Sequence, residues 1–583
     1  MDDPNRRAMG AAVHEVTAGS SANIFALFPA LTVAAFLLPI VAGMVGTVLP
    51  AFGYLPAIGG HSISIEPWQR LFAYPGIATS IVTSVSTGFA ATLLSLALAI
   101  AFCGVAYGHA FARRIGGLVA PILSTPHAAI AIGVAFLIAP SGWIARVLSP
   151  WLTGWTLPPD VATVGHHSGW PLVLCLVAKE TPYLVLMIVG ALHQIAARNQ
   201  MAAARALGYG IIEAWLKVIV PQIYSQIRLP VFAVLAFSLS VVDVALIIGP
   251  GNPPPLAVLA VRWFNDADIG FYFAAAAAAC LQLLLVIAAI VAWRLAERWV
   301  ATLGHAWIAR GVRRSGASTA ALIAFALSSG LFVLSMAAII GMALWSFATQ
   351  WRFPDALPSE WTLANWSRNA ASLASPVAAT VTVAIGATLI ALVLAVGCLE
   401  NETRIRRRAG TRALWLLYLP LFVPQVAFLF GVQVLLVAAG FDGTLGAVVW
   451  THLVFVLPYV FLSLADPWRS LDPRYARAAA SLGARPSRIL FRVRVPLLLG
   501  PVLIAGAIGF AVSVAQYLPT IFAGSGRIAT LTTDAVTLAG GADRRVIGAY
   551  ALLQSALPLL VYAGAVAIPA WRFARRRGVK AWG

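Results

Sequence analysis

Long apolar stretches recur along the whole of this 583-residue chain, and twelve of them are long enough to cross a lipid bilayer. A membrane-spanning helix needs about 20 apolar residues, because the hydrocarbon core offers no partner for an unpaired backbone group. Charged residues make up only 10% of the sequence, which excludes an ordinary soluble enzyme, since soluble domains carry about 25%. We predict an all-α membrane protein with about twelve transmembrane helices at 23–49, 76–108, 117–139, 169–192, 226–249, 271–295, 318–348, 376–398, 411–438, 444–465, 498–523 and 546–570.

The basic residues predict the orientation of these spans. With the N-terminus in the cytoplasm, 30 of the 39 lysines and arginines fall in cytoplasmic segments and 8 in outer segments. Cytoplasmic loops of membrane proteins carry such an excess of basic residues. We therefore predict a multi-pass protein of the bacterial inner membrane with both termini in the cytoplasm. We attribute the basic residues behind the formal charge of +19 to orientation of the protein in the bilayer and not to nucleic-acid binding.

A short polar segment in the middle of the chain divides the predicted spans into two sets of six. Equal sets of this kind indicate an internal duplication, in which corresponding positions should match. In chain order we predict a cytoplasmic tail, a six-helix domain, a cytoplasmic linker, a second six-helix domain and a basic cytoplasmic tail, at 1–22, 23–295, 296–317, 318–572 and 573–583.

A matching pattern stands in one predicted cytoplasmic loop of each half. Two alanines precede a glycine and then a proline, at Ala203, Ala204, Gly208 and Pro221 and again at Ala478, Ala479, Gly483 and Pro496. The glycine-to-proline distance is 13 residues in both copies, which stand 275 residues apart. Small alanines allow close approach to another surface, and the glycine permits a turn that a Cβ disfavours. We expect Pro221 to end the amphipathic segment before it.

These two segments resemble the EAA loop of binding-protein-dependent ABC importer permeases, in which a Glu-Ala-Ala motif, a glycine and a later proline form the docking site for the ATPase subunit. Because both halves carry the pattern, the chain resembles fused permeases of the ferric-ion and thiamine type, with a type I importer fold of two pseudo-symmetric six-helix halves. The glutamate position of the motif holds Ala202 in the first copy and Arg477 in the second.

The resemblance implies partners and a role. ABC ATPase subunits, two copies in all, would dock on the loops, and a periplasmic substrate-binding protein would deliver a small solute to the outer face. The chain would then be the translocation subunit of an ATP-driven importer. Thiamine or a related organic cation would suit the carboxylate of Asp243, and ferric ion or a polyamine stay open as substrates.

The sequence offers no ATP site within this chain. A phosphate-binding P-loop needs Gly-Lys followed by Ser or Thr. The three lysines, Lys179, Lys217 and Lys580, are followed by Glu, Val and Ala. We therefore predict a permease subunit that is not an enzyme and holds no cofactor, with ATP and Mg²⁺ bound by the partner subunit.

Polar side chains recur at matching places inside the predicted spans. His127 follows a proline in the third span as Gln425 does in the ninth, and Asp243 in the fifth span corresponds to Gln516 in the eleventh. Polar groups in hydrocarbon are costly and usually face the interior of the bundle. Two interpretations stay open for these residues: they line the translocation pathway, or they bridge helices.

Asp243 is a carboxylate within a predicted span and therefore needs a cation nearby. Lys179, which is followed by Glu180, is the only lysine within a span. An ion pair between Asp243 and Lys179 is one alternative, and contact of Asp243 with a cationic substrate is the other. Lys179 and Glu180 are included among the candidate pathway residues.

Two other classes of protein are alternatives to an importer permease. A twelve-helix secondary carrier driven by an ion gradient shares the six-plus-six arrangement, but the paired loops favour the importer. A membrane-embedded enzyme would need clustered carboxylates or histidines on facing spans. Adjacent His166 and His167 in the long outer loop lack a third ligand, so no metal site is predicted.

Overall fold

The structure is a computed structural model that describes residues 24–107, 121–314, 316–405, 407, 410–541 and 543–573, without the side chains of 411–415 and 573. Nearly every described segment is helical, because a chain in lipid must satisfy its backbone N–H and C=O groups within itself. Two short strands outside the bundle, β1 (Tyr54–Leu55) and β2 (Gly60–His61), form an antiparallel pair in which Tyr54 faces His61.

In the described residues up to Ala309, twelve helices have both ends defined. They are α1 (Leu27–Ala51), α2 (Glu66–Ala73), α3 (Ile77–Ala106), α4 (His127–Ile138), α5 (Trp143–Leu148), α6 (Trp170–Leu192), α7 (Ala197–Ala206), α8 (Ile211–Ala214), α9 (Val220–Ser240), α10 (Asp243–Ile248), α11 (Leu256–Phe264) and α12 (Phe271–Ala309). A π-helical turn, Trp215–Ile219, joins α8 to α9.

In the described residues from Ala317 onward there are thirteen more. They are α13 (Ala317–Phe347), α14 (Ala364–Arg368), α15 (Ala370–Ile405), α16 (Thr411–Phe422), α17 (Val426–Ala438), α18 (Leu445–Ser470), α19 (Pro473–Ser481), α20 (Pro486–Ile489), α21 (Val495–Leu497), α22 (Leu499–Val514), α23 (Leu518–Gly524), α24 (Leu531–Ala539) and α25 (Arg544–Phe573). A second π-helical turn, Leu490–Arg494, joins α20 to α21.

Ten helices in the described residues are long and apolar enough to cross a membrane, and two bent helix pairs raise the number to as many as twelve. The predicted fold class, an all-α membrane protein with about twelve transmembrane helices, is confirmed. The bent pairs turn by 102° between α16 and α17 and by 78° between the Pro486–Leu497 segment and α22.

Several predicted spans are not continuous helices. The span predicted at 226–249 is α9, which starts earlier at Val220 and ends at Ser240, followed by the separate helix α10. The spans predicted at 117–139, 411–438 and 498–523 also break near their middle. Hydropathy averaged over a window does not detect such breaks, because the one or two polar residues at each break are outweighed by the apolar residues on both sides. Non-helical backbone is tolerated at these points because it is enclosed by protein and not by lipid.

The predicted linker 296–317 also differs from the structure. Helix α12 continues without interruption to Ala309, so most of that segment is helical. The described part of the segment that is not helical, Arg310–Arg314 and Gly316, is short.

Helices α1 and α13 each contact a helix that is far away in the sequence. Helix α1 packs on α17, and helix α13 packs on α4. Both crossings are made at small residues: a Cβ added to Gly431 would lie 1.9 Å from the Gly43 carbonyl oxygen, and one added to Gly133 would lie 2.7 Å from the Ala338 oxygen. Small residues allow helix backbones to approach closely, which drives packing in membranes. The middle of the bundle is thereby enclosed by helices from distant parts of the chain.

Candidate functional site

The first predicted docking loop begins with helix α7, which carries Ala203 and Ala204. Gly208 follows with a φ of +87°, in the left-handed region that residues with a Cβ rarely adopt. Helix α8 and the π turn then lead into α9, where Pro221 is the second residue. The order of the segment is thus a short helix, a left-handed glycine and a helix that continues into the membrane bundle.

The second predicted docking loop has the same order. The carboxylate of Asp472 caps helix α19 by accepting a 2.8 Å hydrogen bond from the Arg474 amide. Helix α19 carries Ala478 and Ala479, and Gly483 follows with a φ of +77°. Helix α20, the second π turn and α21 complete the loop, with Pro496 as the second residue of α21.

The structure corrects the role expected for Pro221. We predicted that Pro221 would end the helical segment before it, but Pro221, like Pro496, lies in the first turn of a helix that directly continues its predecessor. A proline is tolerated in a first turn because its missing N–H would be unpaired there. The π turn immediately before it changes the hydrogen-bond spacing and accommodates the ring.

Each loop exposes a large apolar side chain just after its alanine-bearing helix. Leu207 is 62% exposed and Leu482 is 88% exposed, and the two occupy corresponding positions. An exposed leucine on a loop is ordinary by itself. The same exposed leucine thus recurs at corresponding points of two similarly built loops.

Four predicted pathway residues from three helices meet around the break before α4. His127, the first residue of α4, contacts Glu180 of α6, with 3.0 Å between the His127 Nε2 and Glu180 Oε1 atoms. His127 also packs against the Phe237 ring of α9 and lies within electrostatic range of Asp243. The glutamate is buried, and the imidazole is 30% exposed. The histidine is therefore the accessible member of this pair.

Lys179 satisfies the backbone at that break. Its ammonium group donates to three carbonyl oxygens just before Pro126, those of Ile122, Leu123 and Thr125, at 2.7, 3.0 and 2.5 Å. A cation at the carboxyl end of a helical turn balances the partial negative charge of the free carbonyls. In the described part of the chain no ion pair joins Lys179 to Asp243. The ion-pair alternative for these two residues is therefore not what the structure contains.

Asp243 begins helix α10, immediately after the break that follows α9. Its carboxylate lies beside the first backbone N–H groups of this helix, those of Asp243 and Val244. The side chain is partly exposed, and it lies within electrostatic range of Tyr517. Tyr517 belongs to the break before α23, so the breaks before α10 and α23 lie within electrostatic range of each other.

The two predicted glutamines are brought together. The amide of Gln425, at the start of α17, donates to the Gln516 oxygen at 3.4 Å. The Gln516 amide also donates to the Val512 carbonyl, at the end of α22. The helix breaks before α4, α10, α17 and α23 thus carry His127, Asp243, Gln425 and Gln516, and polar side chains collect where backbone groups are left unpaired.

Sequence reasoning missed several features of the site. His452 is buried, and its ring nitrogens lie 2.8 Å from the Ser513 and 2.9 Å from the Thr520 hydroxyl oxygens, so it ties α18 to α22 and α23. The phenols of Tyr183 and Tyr459 lie within electrostatic range of Glu180. Only spatial proximity joins these residues, which no spacing in the sequence signals. Among the residues that the structure describes, no group of three His, Cys, Asp or Glu side chains could hold a metal ion.

Comparison with known proteins identifies relatives over nearly the whole chain. The chain is 31% identical over 522 residues to the inner membrane ABC transporter permease protein YnjC of Escherichia coli strain K12, which covers 89% of this chain and 93% of YnjC. It is 32% identical over 189 residues to the molybdenum transport system permease protein ModB of Mycobacterium bovis and of Mycobacterium tuberculosis. That alignment covers 70% of ModB and 29% of this chain. No protein-family model matches the chain.

The likeness to YnjC extends over about nine-tenths of both sequences. The relatives are permease subunits, which favours transport by an ABC system over a gradient-driven carrier. Relatives, hydropathy and helical bundle agree: this chain belongs to the ABC transporter permease family.

Proposed function

We propose that this chain is the translocation subunit of an ATP-driven importer, built from two pseudo-symmetric six-helix halves. The observation that carries the proposal is the repeated loop, in which a short helix, a left-handed glycine and a π turn occur twice in the same order. One ATPase subunit docks on each loop and binds ATP and Mg²⁺. Leu207 and Leu482 are the exposed apolar contacts of the two docking sites.

The solute crosses at the helix breaks in the middle of the bundle. Asp243 supports an organic cation as substrate, because the residue is partly exposed and forms no ion pair among the described residues. The tyrosine near it, Tyr517, adds an aromatic surface that suits a cation. We infer a small organic cation of the thiamine kind, delivered by a periplasmic binding protein. With this inference we keep, as part of the proposal, the resemblance to permeases of the ferric-ion and thiamine type.

A second candidate substrate follows from the relative ModB, whose name states molybdenum transport. Molybdate is an anion, so it would favour the helix N-termini at the breaks and not the Asp243 carboxylate. A cationic substrate therefore favours a negatively charged pathway, and molybdate favours a positively charged one. Comparing the uptake of cationic solutes with that of molybdate separates the two candidates.

Uptake by cells tests the proposal, because cells supply the ATPase and the binding protein. Uptake of labelled thiamine, spermidine, ferric ion and molybdate is measured in cells with the chain and in cells from which it has been deleted. We expect loss of thiamine or spermidine uptake on deletion and recovery on re-expression. Loss of molybdate uptake alone would contradict the cation assignment, and unchanged uptake of all four solutes would contradict both candidates.

Chemical labelling checks the proposed orientation. Cysteines replacing Leu157 in the long outer loop and Leu482 in the second docking loop are both at exposed positions. In intact spheroplasts, we expect an impermeant maleimide to label the Leu157→Cys chain and not the Leu482→Cys chain, and lysis should expose the second. A variant without the four native cysteines provides the background. Labelling of Leu482→Cys before lysis would refute the assignment of termini and loops to the cytoplasm.

A further inference from the structure

The segment that follows α12 lies over the first docking loop. Lys217, in the π turn of that loop, donates to the Val312 carbonyl oxygen at 2.7 Å and to the Trp307 carbonyl oxygen at 3.4 Å. The same ammonium lies 4.4 Å from the centre of the Trp307 ring and 5.5 Å from that of Tyr209. A desolvated ammonium held by aromatic faces and carbonyl oxygens is a strong local attachment.

Backbone contacts extend this attachment. The Gly210 amide donates to the Arg313 carbonyl oxygen at 3.0 Å, and the Arg313 side chain passes close to Gly208. Lys217 is only 6% exposed, and Glu213, one turn earlier in the loop, is 3% exposed. The first loop is therefore attached on one side by the 307–313 segment, while Leu207 at its tip stays exposed.

The second docking loop differs at the corresponding positions. Arg492 occupies the position of Lys217, 275 residues later, and its side chain is exposed. A Cβ placed on Gly483 would meet no atom within 4 Å, and helices α19 and α20 bury no residue. The end of its π turn is attached to the bundle, where Arg494 pairs with the buried Glu400 carboxylate of α15. Within the ranges that the structure describes, no segment lies over Gly483 and Arg492 as 307–313 lies over the first loop.

We propose that the 307–313 segment is an intramolecular clamp, with Lys217 as its positioning residue, that fixes the first docking loop before an ATPase subunit binds. The second loop lacks this clamp and therefore loses more conformational freedom when the ATPase binds. A preformed binding surface loses less conformational entropy on association, so the first loop retains its ATPase more tightly. This inference rests on the proposed function, since it assumes that both loops dock ATPase subunits.

Hydrogen exchange of the purified full-length chain, without ATPase, tests the clamp itself. The variant Lys217→Met keeps an apolar stem but loses the ammonium, and Arg492→Met is the matched control in the other loop. We expect amide exchange in 211–219 to rise roughly tenfold in Lys217→Met, and exchange in 486–494 to stay unchanged in Arg492→Met. In the unsubstituted chain, 211–219 should exchange more slowly than 486–494. Equal exchange of the two loops, or no response to Lys217→Met, would overturn the proposal.

Two further variants separate loss of the clamp from loss of the fold. Lys217→Arg retains a cation that can stack on Trp307 and bond its carbonyl, so it should restore most of the protection. Trp307→Leu removes the aromatic face and should raise exchange in 211–219 while the chain elutes normally in size-exclusion chromatography. Failure of Lys217→Arg to protect the loop in a normally eluting chain would contradict the role of the cation.

Retention of the ATPase connects the clamp to docking. The ATPase that co-purifies with the tagged chain is quantified for the unsubstituted protein, Lys217→Met and Arg492→Met. The substitution Leu482→Asp is then added to impair docking at the second loop, so that the ATPase retained reports on the first loop. In that background, we expect Lys217→Met to lower ATPase retention roughly tenfold. Unchanged retention would overturn the clamp's role in docking. If no ATPase co-purified with the unsubstituted chain, the proposed function would fail, while the exchange result would still report on the clamp.

Discussion

Replacing either docking-loop glycine with valine is expected to remove the ATPase subunit from the complex while the permease still inserts into the membrane. Gly208 has a φ of +87° and Gly483 a φ of +77°. A left-handed conformation costs an ordinary L-residue roughly 1–2 kcal/mol, and a β-branched side chain makes such a φ a true outlier. The loop would relax to a different turn and displace the short helix that carries the alanines.

The expected loss is at least about tenfold in ATPase retained per permease, since each 1.4 kcal/mol of docking energy corresponds to a factor of ten. Gly208→Asn and Gly483→Asn are the matched controls, because asparagine adopts the left-handed region more readily than other residues with a Cβ. Open space surrounds Gly483, so a defect there would come from backbone strain and not from a clash. Normal ATPase content and normal transport in both valine variants would show that the loops do not dock.

Asp243→Asn is expected to lower uptake more than any other conservative change among the polar residues at the helix breaks. The substitution removes the negative charge but keeps an oxygen that can accept from the first N–H groups of α10. Local structure is thereby retained, so the change reports on charge. An attraction between Asp243 and a cationic solute would be strong, because little water screens it inside the bundle.

Glu180→Gln is the comparison, since Glu180 is already occupied by its contact with His127 and a glutamine oxygen can still accept from that imidazole. We expect about a tenfold fall in uptake for Asp243→Asn and a smaller fall for Glu180→Gln, at equal amounts of protein in the membrane. The loss should lie in transport and not in thermal stability. Full uptake of the cationic solute by Asp243→Asn would end the substrate-contact interpretation.

Much of the fold follows from the sequence because hydropathy reports directly on burial in lipid. The apolar stretches predicted about twelve spans, and helices such as α3 and α6 begin and end within two residues of their predicted bounds. The glycines of the two loops were also identifiable, since their spacing repeats and both have positive φ. Local features with a clear chemical signature, such as these, are readable without a structure.

The breaks in the middle of the bundle could not be read in the same way. A window of apolar residues looks identical whether its helix continues or stops, and the turn after Ser240 contains no proline. Lys179 illustrates the consequence: as an intramembrane lysine it suggested an ion pair with Asp243, but its partners are backbone carbonyls, which are present at every residue. The contacts of Lys217 with Trp307 and Val312 could not be predicted from the sequence either, because they depend on where α12 ends.

ATP-driven uptake into vesicles distinguishes an ABC importer from a gradient-driven carrier. Proteoliposomes are prepared from the complex that co-purifies with the full-length chain, and the labelled solute is the one whose uptake in cells requires the chain. We expect accumulation of the solute to require ATP on the side of the docking loops and to persist when ion gradients are collapsed. Combining Gly208→Val with Gly483→Val should abolish it. Accumulation driven by an ion gradient in the absence of ATP would contradict the proposed importer function.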